Sequence, residues 1–135
     1  MTLQRVELNF QQEFKGQLIA ENHAIDIGTE KGSLAPYDML LGALASCYYS
    51  TFLDVVKKKK ITYDKVEMIV TGEKRTEIPT TLQWVNLDIR IYGASTQKGI
   101  LKAGELAAKY CSVYQTISKV AEMNWSISFE PQTKM

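Results

Sequence analysis

The sequence predicts a single α+β domain over residues 1–135, in the order β-β-β-α-β-β-α-β, with one long buried central helix. Apolar and polar residues alternate with a period of two in several short stretches, which is typical of half-buried strands. The segment Met39–Val56 is mainly apolar, too long for a strand and broken by polar residues, so it predicts a buried helix and no membrane span. The length suits one domain.

The first part of the sequence predicts three strands. Val6, Leu8 and Phe10 alternate with polar residues, which predicts a half-buried strand. Two further short strands are expected at residues 17–19 and 24–27, joined by a polar turn.

The central helix is predicted to begin at Pro36, because proline suits the first helical position, where its missing N–H is not needed. Apolar residues cover nearly every face of its first half, so we expect burial all round, in part by a second subunit. The helix ends in four lysines, Lys57–Lys60. They favour a solvated cap at the negative end of the helix dipole, and an anion or nucleic-acid site is the alternative.

The remaining sequence predicts two long antiparallel strands, a second helix, a further short helical turn and a last strand. The polar segment 71–81 is expected to connect the two strands, and Ser95 or Thr96 to cap the second helix. The predicted apolar positions are, element by element, Val66, Met68 and Val70; Val85, Leu87, Ile89 and Ile91; Ile100, Leu101, Ala107, Ala108 and Cys111; Val113, Ile117 and Val120; and Trp125, Ile127 and Phe129.

Composition excludes several function classes. The 16 Lys and Arg residues balance 15 Asp and Glu residues, so no nucleic-acid partner is predicted. The first residues lack a basic head followed by an apolar run, and we therefore expect no signal peptide and a cytoplasmic protein. Two cysteines and one histidine are too few for a structural zinc site, and no glycine-rich phosphate loop is present. We accordingly predict no metal and no bound cofactor.

The two cysteines, Cys47 and Cys111, are the main chemical lead. In a reducing compartment such a pair is either two packed thiols or a redox couple. A thiol that attacks peroxides must be a thiolate, so its pKa has to fall below the usual value of about 8.5. Cys47 lies in the middle of the predicted helix, where the dipole gives little help, so a side-chain partner is expected to lower its pKa.

Three segments, SLAPYDMLLGALASCYYSTFLDVV, AAKYCSVYQTI and WSISFE, resemble the family of osmotically induced protein C and the organic hydroperoxide resistance proteins. That family has a proline near the start of the central helix and its first cysteine about eleven residues later, as Pro36 and Cys47 do. Its second cysteine usually opens a Cys-Pro-Val/Tyr-Ser motif, from which Cys111 departs at Ser112 and Tyr114. The resemblance extends over nearly the whole sequence.

The resemblance implies an α+β sandwich that forms an intertwined homodimer with active sites at the subunit interface. It implies thiol-dependent reduction of organic hydroperoxides, in which Cys47 attacks the peroxide and Cys111 resolves the sulfenic acid. An external thiol or a dithiol such as a lipoyl group would then return the enzyme to its reduced form.

Family members that reduce hydroperoxides carry an arginine in the N-terminal strands and a glutamate directly after the helix-start proline. Here Lys15 is the nearest cation in those strands, and Tyr37 stands after the proline, followed by Asp38. Arg75, in the connection between the middle strands, is a further candidate from the other subunit. These four residues are predicted as thiolate-activating or pocket residues.

Two alternatives remain open at this stage. The first is a non-peroxidatic, small-molecule binding protein of the same family, which holds an apolar ligand in the dimer-interface pocket. Its pocket would be shaped by Tyr37, Tyr48, Tyr49 and Tyr114, which equally suit core or interface packing. The second alternative is a nucleic-acid-associated protein that uses the four lysines.

Overall fold

The computed structural model describes residues 3–131, and it confirms the predicted α+β class and order of elements, including the further short helical turn after the second helix. The chain divides into two compact units between Leu40 and Leu41, which are described separately here, and the single domain stays a prediction. The elements are β1 (Glu7–Phe10), β2 (Lys15–Ile19), β3 (Ala24–Gly28), α1 (Pro36–Lys58), β4 (Lys65–Lys74), β5 (Leu82–Tyr92), α2 (Gln97–Tyr110), α3 (Ser112–Ser118) and β6 (Glu122–Glu130).

The first unit is an antiparallel sheet in the order β1-β2-β3, followed by the start of α1. The Ala20 N–H donates to the carbonyl of His23 (2.8 Å), which closes the predicted turn between β2 and β3. β1 differs from the expectation of a half-buried strand, because all four of its residues are exposed in the single chain. Alternation of apolar residues indicates an apolar face that can be buried, but it does not indicate which residues pack against that face.

α1 begins at Pro36, as predicted, and both of its ends are capped. The carboxylate of Asp38 accepts a hydrogen bond from the Ala35 N–H (3.0 Å), which is the backward half of a capping box. At the other end Lys60 has φ +56°, and the Ile61 N–H donates to the carbonyl of Val56 (2.9 Å). This pattern is a Schellman ending, with a lysine where glycine is usual.

Burial of α1 is confined to one stripe in the single chain, made by Leu44, Tyr48, Phe52 and Val56. These residues are four positions apart and therefore share one face, and the expected burial of the other faces by a second subunit stays a prediction. By length and composition alone α1 also suffices to cross a membrane, with a mean hydropathy of 1.4 and 22% of the window buried. A core helix of a soluble protein meets the same criterion, and the exposed apolar side chains of α1 are surface that a second chain could cover.

The second unit contains a three-stranded sheet in the order β4-β5-β6. β4 and β5 are antiparallel, as predicted, and β5 and β6 are parallel. The expected connection over residues 71–81 is too long, since β4 continues to Lys74 and leaves only residues 75–81 between the strands. Strand pairing uses backbone groups, so the polar side chains after Val70 extend an exposed end of the strand and do not stop it.

α2 and α3 form the crossover that a parallel pair of strands requires. Thr96 caps α2, since its hydroxyl accepts from the Gly99 N–H (3.2 Å). Leu101 was expected on the buried face and is 43% exposed, because one residue turns a helix by about 100° away from the neighbouring Ile100, which is fully buried. Val120 was also expected to be buried, but it lies after the end of α3 and is exposed. The buried face of α2 is Ile100, Ala103, Gly104, Ala107 and Ala108.

Candidate active site

Cys47 lies in the middle of α1, directly before the buried Tyr48, and is itself half-buried. The buried stripe of α1 faces the core of the second unit, so the neighbouring position 47 is placed at the margin of that core. Its carbonyl accepts a hydrogen bond from the hydroxyl of Thr51 (3.1 Å), one turn later. The thiol is therefore held on a rigid helix at the boundary between core and surface.

Cys111 occupies the corner between α2 and α3, where it ends one helix and caps the next. Its extended backbone (φ −70°, ψ 118°) breaks the helix, while its N–H still donates to the carbonyl of Ala107 (2.8 Å). Its sulfur accepts from the Tyr114 N–H (3.4 Å), as the side chain of an N-cap residue does. The side chain is fully buried, and both cysteines are free thiols.

This corner brings the two cysteines together, although they lie far apart in sequence. Ser112, the first residue of α3, has its hydroxyl oxygen 3.9 Å from the sulfur of Cys47. The thiol of Cys111 and the backbone N–H groups of Ser112 and Val113 also act as hydrogen-bond donors to Cys47. The two sulfurs are therefore neighbours that share the first N–H groups of α3, which have no partners within that helix.

The two thiols have opposite acidity. Burial raises the pKa of Cys47, but the hydrogen bonds from Val113, Cys111 and Ser112 outweigh burial and lower its pKa below the ordinary value. Burial also raises the pKa of Cys111, and its hydrogen bond to Cys47 and the charge of a Cys47 thiolate raise it further. Cys47 is therefore the thiol that loses its proton first, and Cys111 is the one that keeps it.

α1 and α2 approach closely beside this corner. The buried hydroxyl of Tyr48 donates to the carbonyl of Gly104 (2.8 Å), and the rings of Tyr48 and Tyr114 lie 6.2 Å apart. A Cβ atom at Gly104 would stand 2.6 Å from the side chain of Ile127 on β6 and 3.2 Å from the hydroxyl of Tyr48 on α1, so glycine lets α2 pack this close to both elements. Tyr48 and Tyr114, considered as ligand-pocket residues from the sequence, are buried in this core.

The other predicted site residues have different surroundings, and their roles at the thiol stay predictions. Lys15 lies on β2, exposed, with its ammonium 3.4 Å from a carboxylate oxygen of Glu30. Tyr37 and Asp38 are in the first turn of α1, where Asp38 caps the helix. Arg75 precedes β5, and its guanidinium donates to the carbonyl of Val120 (3.0 Å). None of these four is among the groups that shift the pKa of Cys47.

Two surface depressions are present in the described part of the chain. One, of about 1140 Å³, lies against β1 and β2 and includes Lys15. The other, of about 680 Å³, lies on the outer face of the sheet β4-β5-β6 around Arg90. Neither contains Cys47 or Cys111. Within residues 3–131 no three His, Cys, Asp or Glu side chains converge on a point that could hold a metal ion.

Sequence reasoning missed the donors to Cys47. In the single chain the donors are a hydroxyl, a thiol and two backbone N–H groups, and the expected cationic side chain stays a prediction. Backbone N–H groups are common to nearly all residues and leave no trace in a sequence. The sequence signal for these donors was Ser112, which stands directly after the second cysteine where the family motif usually has a proline.

A family model described as OsmC-like protein matches residues 28–126 of this chain. A curated protein of Mycoplasma pneumoniae named hydroperoxide reductase is 29% identical over 104 residues, which cover 74% of this chain and 72% of that protein. Among solved structures, an OsmC-like protein from the same organism has a TM-score of 0.85 at 22% identity, covering 95% of this chain and 97% of its own. A hypothetical protein from Aquifex aeolicus VF5 has a TM-score of 0.83 at 25% identity and covers 96% and 99%.

Proposed function

Because the chain belongs to the OsmC-like protein family, we propose that it is a thiol-dependent peroxidase that reduces organic hydroperoxides in oxidative stress defence. The observation that carries the proposal is the pair of neighbouring free thiols with opposite acidity, Cys47 and Cys111. The name of the Mycoplasma pneumoniae relative, hydroperoxide reductase, supports the same chemistry.

In the proposed reaction the thiolate of Cys47 attacks the terminal oxygen of the hydroperoxide. The O–O bond breaks, the leaving alkoxide takes a proton from solvent to become the alcohol, and Cys47 becomes a sulfenic acid. A low pKa favours this step, since the thiolate is the nucleophile.

In the second step the thiol of Cys111 loses its proton and attacks the sulfenic sulfur, and water leaves as the disulfide forms. The buried, protonated Cys111 suits this role, because a thiol that is unreactive towards external oxidants is kept for the intramolecular step. An external dithiol or two small thiols then reduce the disulfide by thiol–disulfide exchange and are themselves oxidised. The cycle needs no metal and no bound cofactor.

We also propose that the protein acts as a cytoplasmic homodimer. Apolar side chains that a single chain leaves exposed support this: Val6, Leu8, Phe10 and Phe14 in the first unit, and Leu101 and Val120 in the second. Light scattering after gel filtration tests the dimer. A molar mass near 15.3 kDa at micromolar concentration would contradict it.

The test of the peroxidase is a titration of the reduced protein with cumene hydroperoxide, with free thiols counted by mass spectrometry. We expect one equivalent to remove both thiols. Cys111→Ser should stop at a sulfenic acid on Cys47, which dimedone traps, and Cys47→Ser should leave Cys111 reduced. Ser46→Ala is the matched control, because its hydroxyl donates to the carbonyl of Ala43 on the same helix.

If both thiols of the wild-type protein survive excess hydroperoxide, the peroxidase is excluded. The alternative is then the small-molecule binding protein, and thermal shift against apolar ligands tests it, because a ligand that binds the folded state raises the unfolding temperature.

A further inference from the structure

Ser112 is the residue through which α3 reaches Cys47. It follows the capping residue Cys111 and is the first residue of the helix. Its hydroxyl oxygen lies 3.9 Å from the sulfur of Cys47, within the range of a hydrogen bond to sulfur. Its carbonyl accepts from the hydroxyl of Thr116 (2.8 Å), one turn later, which fixes the residue in the first turn of α3.

The backbone of Ser112 provides a second donor. Its N–H acts on Cys47 together with the N–H of Val113, while the next N–H, of Tyr114, is directed to the sulfur of Cys111 (3.4 Å). One residue therefore brings two donors to one sulfur. A hydroxyl hydrogen can rotate, so the Ser112 side chain can follow the sulfur as its charge changes.

We propose that Ser112 is a positioning residue that holds and stabilises the thiolate of Cys47 through its hydroxyl. The catalytic importance of this contact rests on the proposed peroxidase function, but the contact can be tested without hydroperoxide. Hydrogen bonds to a charged acceptor are about twice as strong as those between neutral groups, so the interaction strengthens when Cys47 loses its proton.

Within residues 3–131 of the single chain, no charged side chain is among the groups that act on Cys47. Among the described residues, the titratable group that acts on Cys47 is the thiol of Cys111, and the charge of a Cys111 thiolate acts in turn on the pKa of Tyr48 and Tyr114. Burial raises the pKa of both tyrosines, so neither becomes a competing negative charge near neutral pH. Ser112 is thus the residue at which the thiolate can be perturbed without changing a charge.

The test is the rate at which iodoacetamide alkylates Cys47 as a function of pH, read by peptide mass spectrometry on reduced protein. Ser112→Ala removes the hydroxyl, and we expect the midpoint of the pH profile to rise by about 0.5 to 1 unit. For each pH unit by which the midpoint rises, the alkylation rate at pH 7 should fall by about threefold. The smaller thiolate fraction lowers the rate, and the higher nucleophilicity of a more basic thiolate offsets part of this loss.

Ser112→Pro removes the hydroxyl and the N–H together and should raise the midpoint further. Proline is compatible with this position, because it is the first helical residue and the extended backbone of Cys111 suits a residue before proline. Ser112→Thr keeps both donors and should restore the wild-type profile. Ser118→Ala, which removes a hydroxyl bonded to the carbonyl of Gln115 on the same helix, is the matched control.

An unchanged midpoint in Ser112→Ala, with the fold verified by thermal unfolding, overturns the proposal even if Ser112→Pro does not fold. The same preparations are assayed separately for hydroperoxide consumption. If the midpoint shifts in Ser112→Ala while the wild-type protein consumes no hydroperoxide, the Ser112 contact is supported and the peroxidase is excluded, so the two proposals fail independently.

Discussion

The middle of α1 around Cys47 and the corner between α2 and α3 around Cys111 place the same side chain in two different environments. Cys47 is half-buried on a continuous helix and receives donors from another element. Cys111 is fully buried, and its sulfur accepts from the Tyr114 N–H within its own helix cap, with the Val113 N–H acting on it as well. Both sulfurs receive N–H groups of α3, so their opposite pKa shifts follow from burial and from the additional donors, the Cys111 thiol and Ser112, that reach Cys47.

The largest expected effect is the contrast in alkylation between the two thiols. Cys47 should react with iodoacetamide at least about 100-fold faster than Cys111 at pH 7, because it has the lower pKa and is accessible. Peptide mass spectrometry over a time course measures both rates in one sample. In 6 M guanidinium chloride the two alkylation rates should converge. Equal rates in the folded protein would contradict the opposite pKa shifts of the two thiols.

A smaller effect is expected when the approach of α2 to the core is disturbed. Gly104→Ala should lower the free energy of unfolding by about 1–3 kcal/mol, because the added methyl group meets Ile127 and Trp125 in a packed interior. Denaturant unfolding measures the loss. The displaced α2 carries Cys111 at its end, so the alkylation contrast should also narrow.

Gly42→Ala is the matched control for that substitution, since a Cβ atom there would meet nothing within 4 Å. Alanine is the better helix former, so this variant should be as stable as the wild type or slightly more so. Equal stability of Gly104→Ala and the wild type would show that α2 has room to move.

Asp38 separates helix capping from thiol activation. Asp38→Ala should lower the free energy of unfolding by about 0.5–1 kcal/mol, because the Ala35 N–H loses its acceptor. The pH profile of Cys47 alkylation should stay unchanged in this variant. Asp38→Asn removes the charge but keeps an acceptor oxygen. A shift in the pH profile of Cys47 alkylation in this variant would show that the charge of Asp38 acts on the Cys47 thiolate.

The smallest expected effect is a pH dependence of stability with opposite signs at the two cysteines. The pKa of Cys47 is lowered by folding, so its contribution to stability is present above the unfolded pKa and is lost as pH falls through the folded pKa. The pKa of Cys111 is raised, so its contribution is present below the unfolded pKa and is lost as pH rises through the folded pKa.

Between about pH 7 and 10, therefore, Cys47→Ser should lose stability relative to the wild type as pH rises, and Cys111→Ser should gain. Urea unfolding at several pH values measures both slopes. Slopes of the same sign in the two variants would contradict the assignment of opposite acidity.

The order of the elements could be predicted from the sequence because hydrophobic periodicity is a local property. Pro36 gave the start of α1, and Thr96 was one of two expected caps of α2. β1 and the exposed side of α1 were predicted as buried because apolar residues indicate a capacity for burial, whereas the single chain leaves these side chains exposed.

The candidate site was only partly predictable. Cys47 and Cys111 stood out by residue type and by resemblance, but their proximity depends on the corner at Cys111, where α2 stops and α3 starts. The apolar pattern continues through this corner from Ala108 to Ile117, so the sequence leaves the break almost unmarked. The sequence did not predict a role for Ser112, because its hydroxyl lies near Cys47 only in the folded chain.

The parallel pairing of β5 with β6 has a consequence for how the site forms during folding. β4 and β5 are joined by a short connection, so they can form a hairpin early, whereas Trp84 and Glu122 pair only after the whole α2–α3 crossover has closed. The corner at Cys111 lies inside that crossover. Packing of this crossover against α1 is therefore also what brings Ser112 to Cys47, and we expect the difference between the two thiols to appear no earlier than that packing.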